Sequence, residues 1–175
     1  MAHRRGRRRG LGAPRQRLRP PQWSLHEVVA LLTAGDRAST SPQPSLDDLP
    51  ELLGRAKSIN PDVTFAMGTR PDVSPAVGMA LYRVVQESLT NAHRYAPGAR
   101  IDVALAAADG RVRLTVANAA PTGPDPGISG SGTGVQGMRM RCELLGGQLA
   151  AGPHGDGWLV EAVLPQRTGE EPTTS

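Results

Sequence analysis

The chain has 175 residues, 38% of them hydrophobic and only 3% aromatic, with a formal net charge of +4. That length suits one domain with loose ends, whose core must be built from Val, Leu, Ile and Ala rather than rings. Cys142 is the only cysteine, which excludes an internal disulfide and suits a reducing cytosol, and no apolar run approaches the roughly 20 residues that span a bilayer.

Residues 1–22 are Arg, Gly and Pro with almost nothing apolar, and are expected to form a disordered tail. The positive charge is concentrated there. Eight arginines lie within residues 1–19 beside no acid; setting them aside leaves 12 basic against 16 acidic residues, about −4 for the remainder. Clustered arginines attract phosphates, but no aromatic residue interleaves them to stack on bases, so a nucleic-acid partner is not expected. Nor is export, because His26 and Glu27 interrupt the apolar stretch Trp23–Leu32. A cytoplasmic chain without a membrane span is the expectation.

Trp23–Ala34 is predicted as a short helix, followed by a polar linker to residue 44. From Ser45 the pattern turns helical: Ser45 can cap, Asp47 and Asp48 suit a first turn, and Leu46, Leu49, Leu52, Leu53 and Ala56 follow helical spacing. Val63–Met67 reads as a strand. Ser74-Pro75 then opens a clear helix to about Tyr95, stopped by Pro97-Gly98. Arg100–Ala107 and Arg111–Ala117 read as strands joined at Asp109-Gly110, a hairpin signal. Ala119–Gly134 is a long Gly-, Pro- and Ser-rich loop, and Val135–Leu145 a helix ended by Gly146-Gly147. Gln148–Ala151 and Trp158–Leu164 form a last hairpin around Pro153–Gly157, and the chain from Gln166 is expected to fray. This order implies helices on one face of a mixed sheet, a two-layer α/β (α+β) sandwich over residues 45–165.

Two segments carry chemistry. On the helix Pro75–Tyr95, Val77, Leu81, Val85, Leu89 and Ala92 form an apolar stripe, while Glu87 and Asn91, four apart, share a flanking polar face with Arg94. The carboxamide oxygen of Asn91 is a neutral hard ligand suited to Mg²⁺, and Glu87 can accept a proton or hold a metal-bound water. Taken alone, such residues are ordinary solvated side chains. In the second segment, Gly127, Gly130, Gly132, Gly134 and Gly137 crowd the approach to a helix, with Ser131 and Thr133 among them. Glycines let backbone approach a ligand closely, and a helix N-terminus favours phosphate. No Gly-Lys-Ser/Thr follows, so the segment is not a P-loop, and a dinucleotide fingerprint is not supported either.

Together these segments resemble the ATP-binding domain of sensor histidine kinases, within the gyrase, heat-shock chaperone, histidine kinase and MutL superfamily. LYRVVQESLTNAHRYAPGA (Leu81–Ala99) is similar to its asparagine box and GSGTGVQGMRMRCELLGGQL (Gly130–Leu149) to its second glycine box with the following helix. GWLVEAVLP (Gly157–Pro165) resembles the closing strand, and the detailed wording resembles the nitrate-sensor-like subfamily. The resemblance implies ATP and Mg²⁺ as ligands. Asn91 would hold the metal, Glu87 would be the box's catalytic acidic residue, and Gly132, Thr133, Gly134 and Gly137 would line the phosphates. Arg94 or His93 would reach a phosphate.

The sequence departs from this pattern in two places. The first glycine box normally has an Asp followed by glycines two and four residues later; here Asn118 stands at the Asp position and neither glycine is present. Asn118 is still expected to meet adenine, since a carboxamide offers an acceptor and a donor. No histidine suits the phospho-acceptor: His3 lies in the tail, His26 lacks the acidic neighbour, and His93 and His154 lie inside the domain. Residues 23–44 would then be a remnant of a dimerisation helix with its linker. The acceptor would come from another domain or kinase chain, with a response regulator further downstream. Two alternatives stay open: a stand-alone anti-sigma-type serine kinase, or a non-catalytic domain that binds nucleotide or a partner.

Overall fold

Ser45 opens the main body of the fold through a reciprocal cap. Its hydroxyl accepts from the Asp47 amide while its own amide donates to the Asp48 carboxylate at 2.7 Å. The computed structural model describes residues 24–32, 43–123 and 132–167. The arginine-rich segment 1–22 lies outside these residues, as do Gly127, Gly130 and Ser131. The helix expected from Ser45 is divided into a 3₁₀ turn, Leu46–Asp48, and α2, Leu49–Ile59. Pro50 explains the division: it has no amide to give the Leu46 carbonyl, which accepts instead from Leu49 in a tighter turn.

Before it, α1 spans Leu25–Leu32. After it come β1 (Val63–Met67), α3 (Pro75–Tyr95), β2 (Ile101–Ala108) and β3 (Arg111–Asn118). The chain closes with α4 (Thr133–Leu144), β4 (Gln148–His154) and β5 (Gly157–Pro165). Ser74 caps α3 by accepting from the Val77 amide at 3.4 Å, with Pro75 at the first helical position.

The five strands form one mixed sheet in the order β1-β2-β3-β5-β4. β1 and β2 run parallel, and every other pair is antiparallel. Asp109 and Gly110 have φ of +52° and +69°, the pair of positive values that a two-residue hairpin turn needs. The last hairpin is tighter than expected, because β4 continues to His154 and only Gly155 and Asp156 form the turn. Pro153 fits in β4 because that strand is at the edge, where a missing donor breaks no ladder.

Val103 and Leu105 on β2, Val112, Leu114 and Val116 on β3, and Val160, Ala162 and Leu164 on β5 are buried beneath the helices. The intervening positions, such as Ala104, Ala106 and Arg113, face solvent. Among the described residues, helices therefore cover one face only, the two-layer arrangement implied by the element order. The stripe on α3 supplies the centre of this core, with Val77, Leu81 and Val85 fully buried.

Two segments are better anchored than the sequence suggested. Val28 and Leu32 of α1 are 1% exposed and belong to the same core as α2 and α3, so α1, within the segment 23–44 read as a dimerisation remnant with its linker, packs against them. Gln166, expected to begin a frayed tail, donates its amide to Gly110 and accepts at its carbonyl from Ser74, both at 2.8 Å. Arg167 then pairs with Asp72. These bonds tie the end of β5 to two loops, whereas the tail is expected to fray from 166; its residues 168–175 lie outside the described residues.

Candidate functional site

Strand alternation sets the floor of the site. Val116 and Asn118 lie two apart on β3, so they face the same side, and Val160 and Trp158 do so on β5. The register pairs Val116 with Val160 and Asn118 with Trp158. The apolar core face therefore runs on past the packed helices and ends in a carboxamide beside an indole. Above it lies a cavity of about 480 Å³, bounded by the C-terminal half of α3, the ends of β3 and β5, and the N-terminus of α4.

On α3, Glu87 and Asn91 project into this cavity one turn apart. The Asn91 side-chain amide donates to Glu87 Oε1 at 3.3 Å, which leaves the Asn91 carbonyl oxygen as an acceptor for a cation. Gly134, in the first turn of α4, lies against them: a Cβ added there would collide with Glu87 Oε1 and come within 3.6 Å of Asn91 Nδ2. Gly132 precedes the helix with φ +72°, a left-handed conformation that glycine adopts without strain. Gly132, Thr133 and Gly134 all line the cavity, and α4 begins at Thr133, so Gly134 is helical and not part of the preceding loop. First-turn amides point out of a helix N-terminus, and that end of α4 lies beside the Glu87–Asn91 pair.

Asn118 also lines the cavity, its side-chain amide donating to the Ala119 carbonyl at 2.8 Å. That bond turns its Oδ1 away from Ala119 and leaves it as the acceptor. Gly157 allows this end of the sheet to close, since a Cβ there would overlap the Asn118 carbonyl. Arg94 is an exposed lining residue with its guanidinium 5.9 Å from the Tyr95 ring centre. Gly137 lies outside the cavity, with open space around it. His93 lines a separate small crevice against Val28 and Leu32 of α1.

Reading the sequence missed Ser88, Tyr95, Asp156, Gly157 and Trp158 as lining residues. The alternation along β5 was the available signal for Trp158. Ser88 left none, because its hydroxyl is buried by tertiary packing and has no hydrogen-bond partner. Among the described residues, no three His, Cys, Asp or Glu side chains converge to enclose a metal. One carboxylate beside one carboxamide fits Mg²⁺, which takes few protein ligands and shares phosphate oxygens. Cys142 is on the core side of α4, where burial pushes its thiol up to about 11 and keeps it protonated. No described helix is long and apolar enough to cross a membrane.

The fold is that of histidine kinase catalytic domains. A histidine kinase domain from the Erythrobacter litoralis EL346 blue-light activated kinase matches with a TM-score of 0.54 at 18% identity, over 81% of this chain and 71% of that one. Full-length ShkA, described in complex with AMPPNP, matches at 0.52 and 18% identity, over 85% of this chain and 36% of that one. The chain belongs to the histidine kinase-, DNA gyrase B- and HSP90-like ATPase family, whose model matches residues 76–168. A curated relative, the sensor histidine kinase MctS of Rhizobium johnstonii, is 33% identical over 104 residues. That match covers 58% of this chain and 23% of MctS, so the chain spans about a quarter of that relative. None of these relatives is described as a nitrate sensor, and that subfamily rests on the wording of the sequence alone.

Proposed function

We propose that this chain binds ATP with Mg²⁺ and acts as the catalytic domain of a histidine kinase, passing the γ-phosphate to a histidine on another domain or chain. One observation carries the reading: the Glu87–Asn91 pair and Gly134 at the start of α4 meet in the wall of a cavity that Asn118 also lines. Asn91 would hold the metal through its carbonyl oxygen, and Glu87 would orient the attacking nucleophile or a metal-bound water. The amides of Gly132, Thr133 and Gly134 would receive phosphate oxygens, Arg94 would add charge at the mouth, and Asn118 would accept from the adenine amino group. Bound Mg²⁺ would supply charge neutralisation among the phosphates, so the protein's own part is positioning. ShkA, the relative described with AMPPNP, supports a nucleotide in this fold.

A second reading, a domain that binds nucleotide without turnover, is favoured by Ala120 and Thr122 where the first glycine box would have its glycines. Titration calorimetry with a non-hydrolysable ATP analogue tests the shared premise. We expect micromolar, Mg²⁺-dependent binding, about −8 kcal/mol. Asn91→Ala is expected to abolish it at an unchanged melting temperature, because Asn91 is half-buried and outside the core. Unaltered affinity in that variant would remove Asn91 from the metal site. Labelled ATP with a supplied acceptor domain then separates the readings: transfer supports the kinase, and binding without transfer supports the second.

A further inference from the structure

Trp158 is a large aromatic side chain left 39% exposed in a chain that has few rings to spare. It is the first inward-facing position of β5, in line with buried Val160 and directly opposite Asn118 on β3. Val160, Ala162 and Leu164 belong to the buried core, and Trp158 does not. Trp158 instead lines the 480 Å³ cavity. The two-residue turn Gly155-Asp156 fixes its backbone, and Gly157 allows that backbone to press against the Asn118 carbonyl.

We propose that Trp158 is a nucleotide-binding residue whose indole stacks on the purine held by Asn118. This rests on the reading of the cavity as a nucleotide site and extends it to the base. Asn118 offers hydrogen bonds at the base edge, and the adjacent indole supplies a face. Stacking is tolerant of the base because every base has a π-face, whereas edge contacts discriminate. Trp158 therefore sets affinity, and Asn118 sets the preference among purines. The indole also gives the base a wall where Ala120 and Thr122 replace the glycines of the expected loop.

The test uses the full chain with Trp23→Phe, which leaves Trp158 as the single tryptophan. The Mg²⁺-loaded, non-hydrolysable ATP analogue is titrated by calorimetry and by tryptophan emission, with Trp158→Ala and Trp158→Phe added in the same background. The emission is expected to change and to saturate at the calorimetric midpoint. Trp158→Ala should weaken binding about tenfold or more, and Trp158→Phe should recover most of it. The ratio of ATP to GTP affinity should not move, and Mg²⁺–tripolyphosphate, which lacks a base, should bind the Ala variant as before. Should the Ala variant fail to fold, the emission readout and the Phe variant still decide. Binding without an emission change, or unweakened by Trp158→Ala, overturns the stacking role while the nucleotide site stands. Tighter binding by the Ala variant also overturns it, since the indole would then occupy the place of the base. A parent chain that binds no analogue overturns the nucleotide site and this role together.

Discussion

Gly134 and Gly137 sit three apart on α4 and look equivalent in the sequence, yet their surroundings differ. A methyl at Gly137 meets nothing within 4 Å, whereas at Gly134 it strikes the Glu87 carboxylate beside Asn91. Gly137→Ala should therefore stabilise the helix by roughly 0.5–1 kcal/mol, the ordinary gain of Ala over Gly. Gly134→Ala should forfeit that gain and weaken Mg²⁺–nucleotide binding about tenfold, because Glu87 and with it Asn91 must move. Thermal melting and calorimetry on the two variants check the contrast; equal nucleotide affinities would remove Gly134 from the site. Helical spacing made Glu87, Asn91 and Arg94 legible as one polar face. Ser88 and Tyr95 were not, because what distinguishes them is the cavity next to them and not their spacing.

Among the elements, α1 depends most on its neighbours. A helix of eight residues is marginal in water, so its order comes from burying Val28 and Leu32 against α2 and α3. The Leu32 carbonyl in its last turn accepts from the buried Gln86 side chain at 2.9 Å, and Gln86 in turn accepts from Arg83 at 2.9 Å. Gln86→Ala should leave that carbonyl without its donor and cost about 1–3 kcal/mol. Hydrogen exchange should show α1 amides losing protection first, with the β2–β3 amides unchanged. Uniform loss across the sheet would contradict a local anchor. The sequence marked a short helix here, but it gave no sign that α1 docks on the face of α3 opposite the cavity, since that depends on a side chain 54 positions away. Asn118 is singled out by the resemblance, but only the register places it beside Trp158.

For the whole molecule, the lone cysteine reports on integrity. Burial raises the Cys142 thiol from 9.0 to about 11, so the folded state keeps a proton that the unfolded state releases. Stability from this group is fully present below the unfolded value and declines as pH rises toward the folded one, by roughly 2–3 kcal/mol in all. Urea midpoints at about pH 8 and about pH 10.5 should differ by more in the native chain than in Cys142→Ala. Equal differences would show that other groups cause the alkaline loss.

The sequence by itself determined the layer architecture and the polar face of α3. Both follow from local periodicity, of 3.6 in the helices and 2 in the strands, and from turn residues such as Asp109-Gly110 that require positive φ. Only the tertiary structure decided which residues meet. It brought Gly134 against Glu87, set Trp158 opposite Asn118, turned His93 away toward α1 and tied Gln166 to Ser74. Such contacts join residues far apart in the chain, and they arise from strand register and helix packing, which no local pattern encodes.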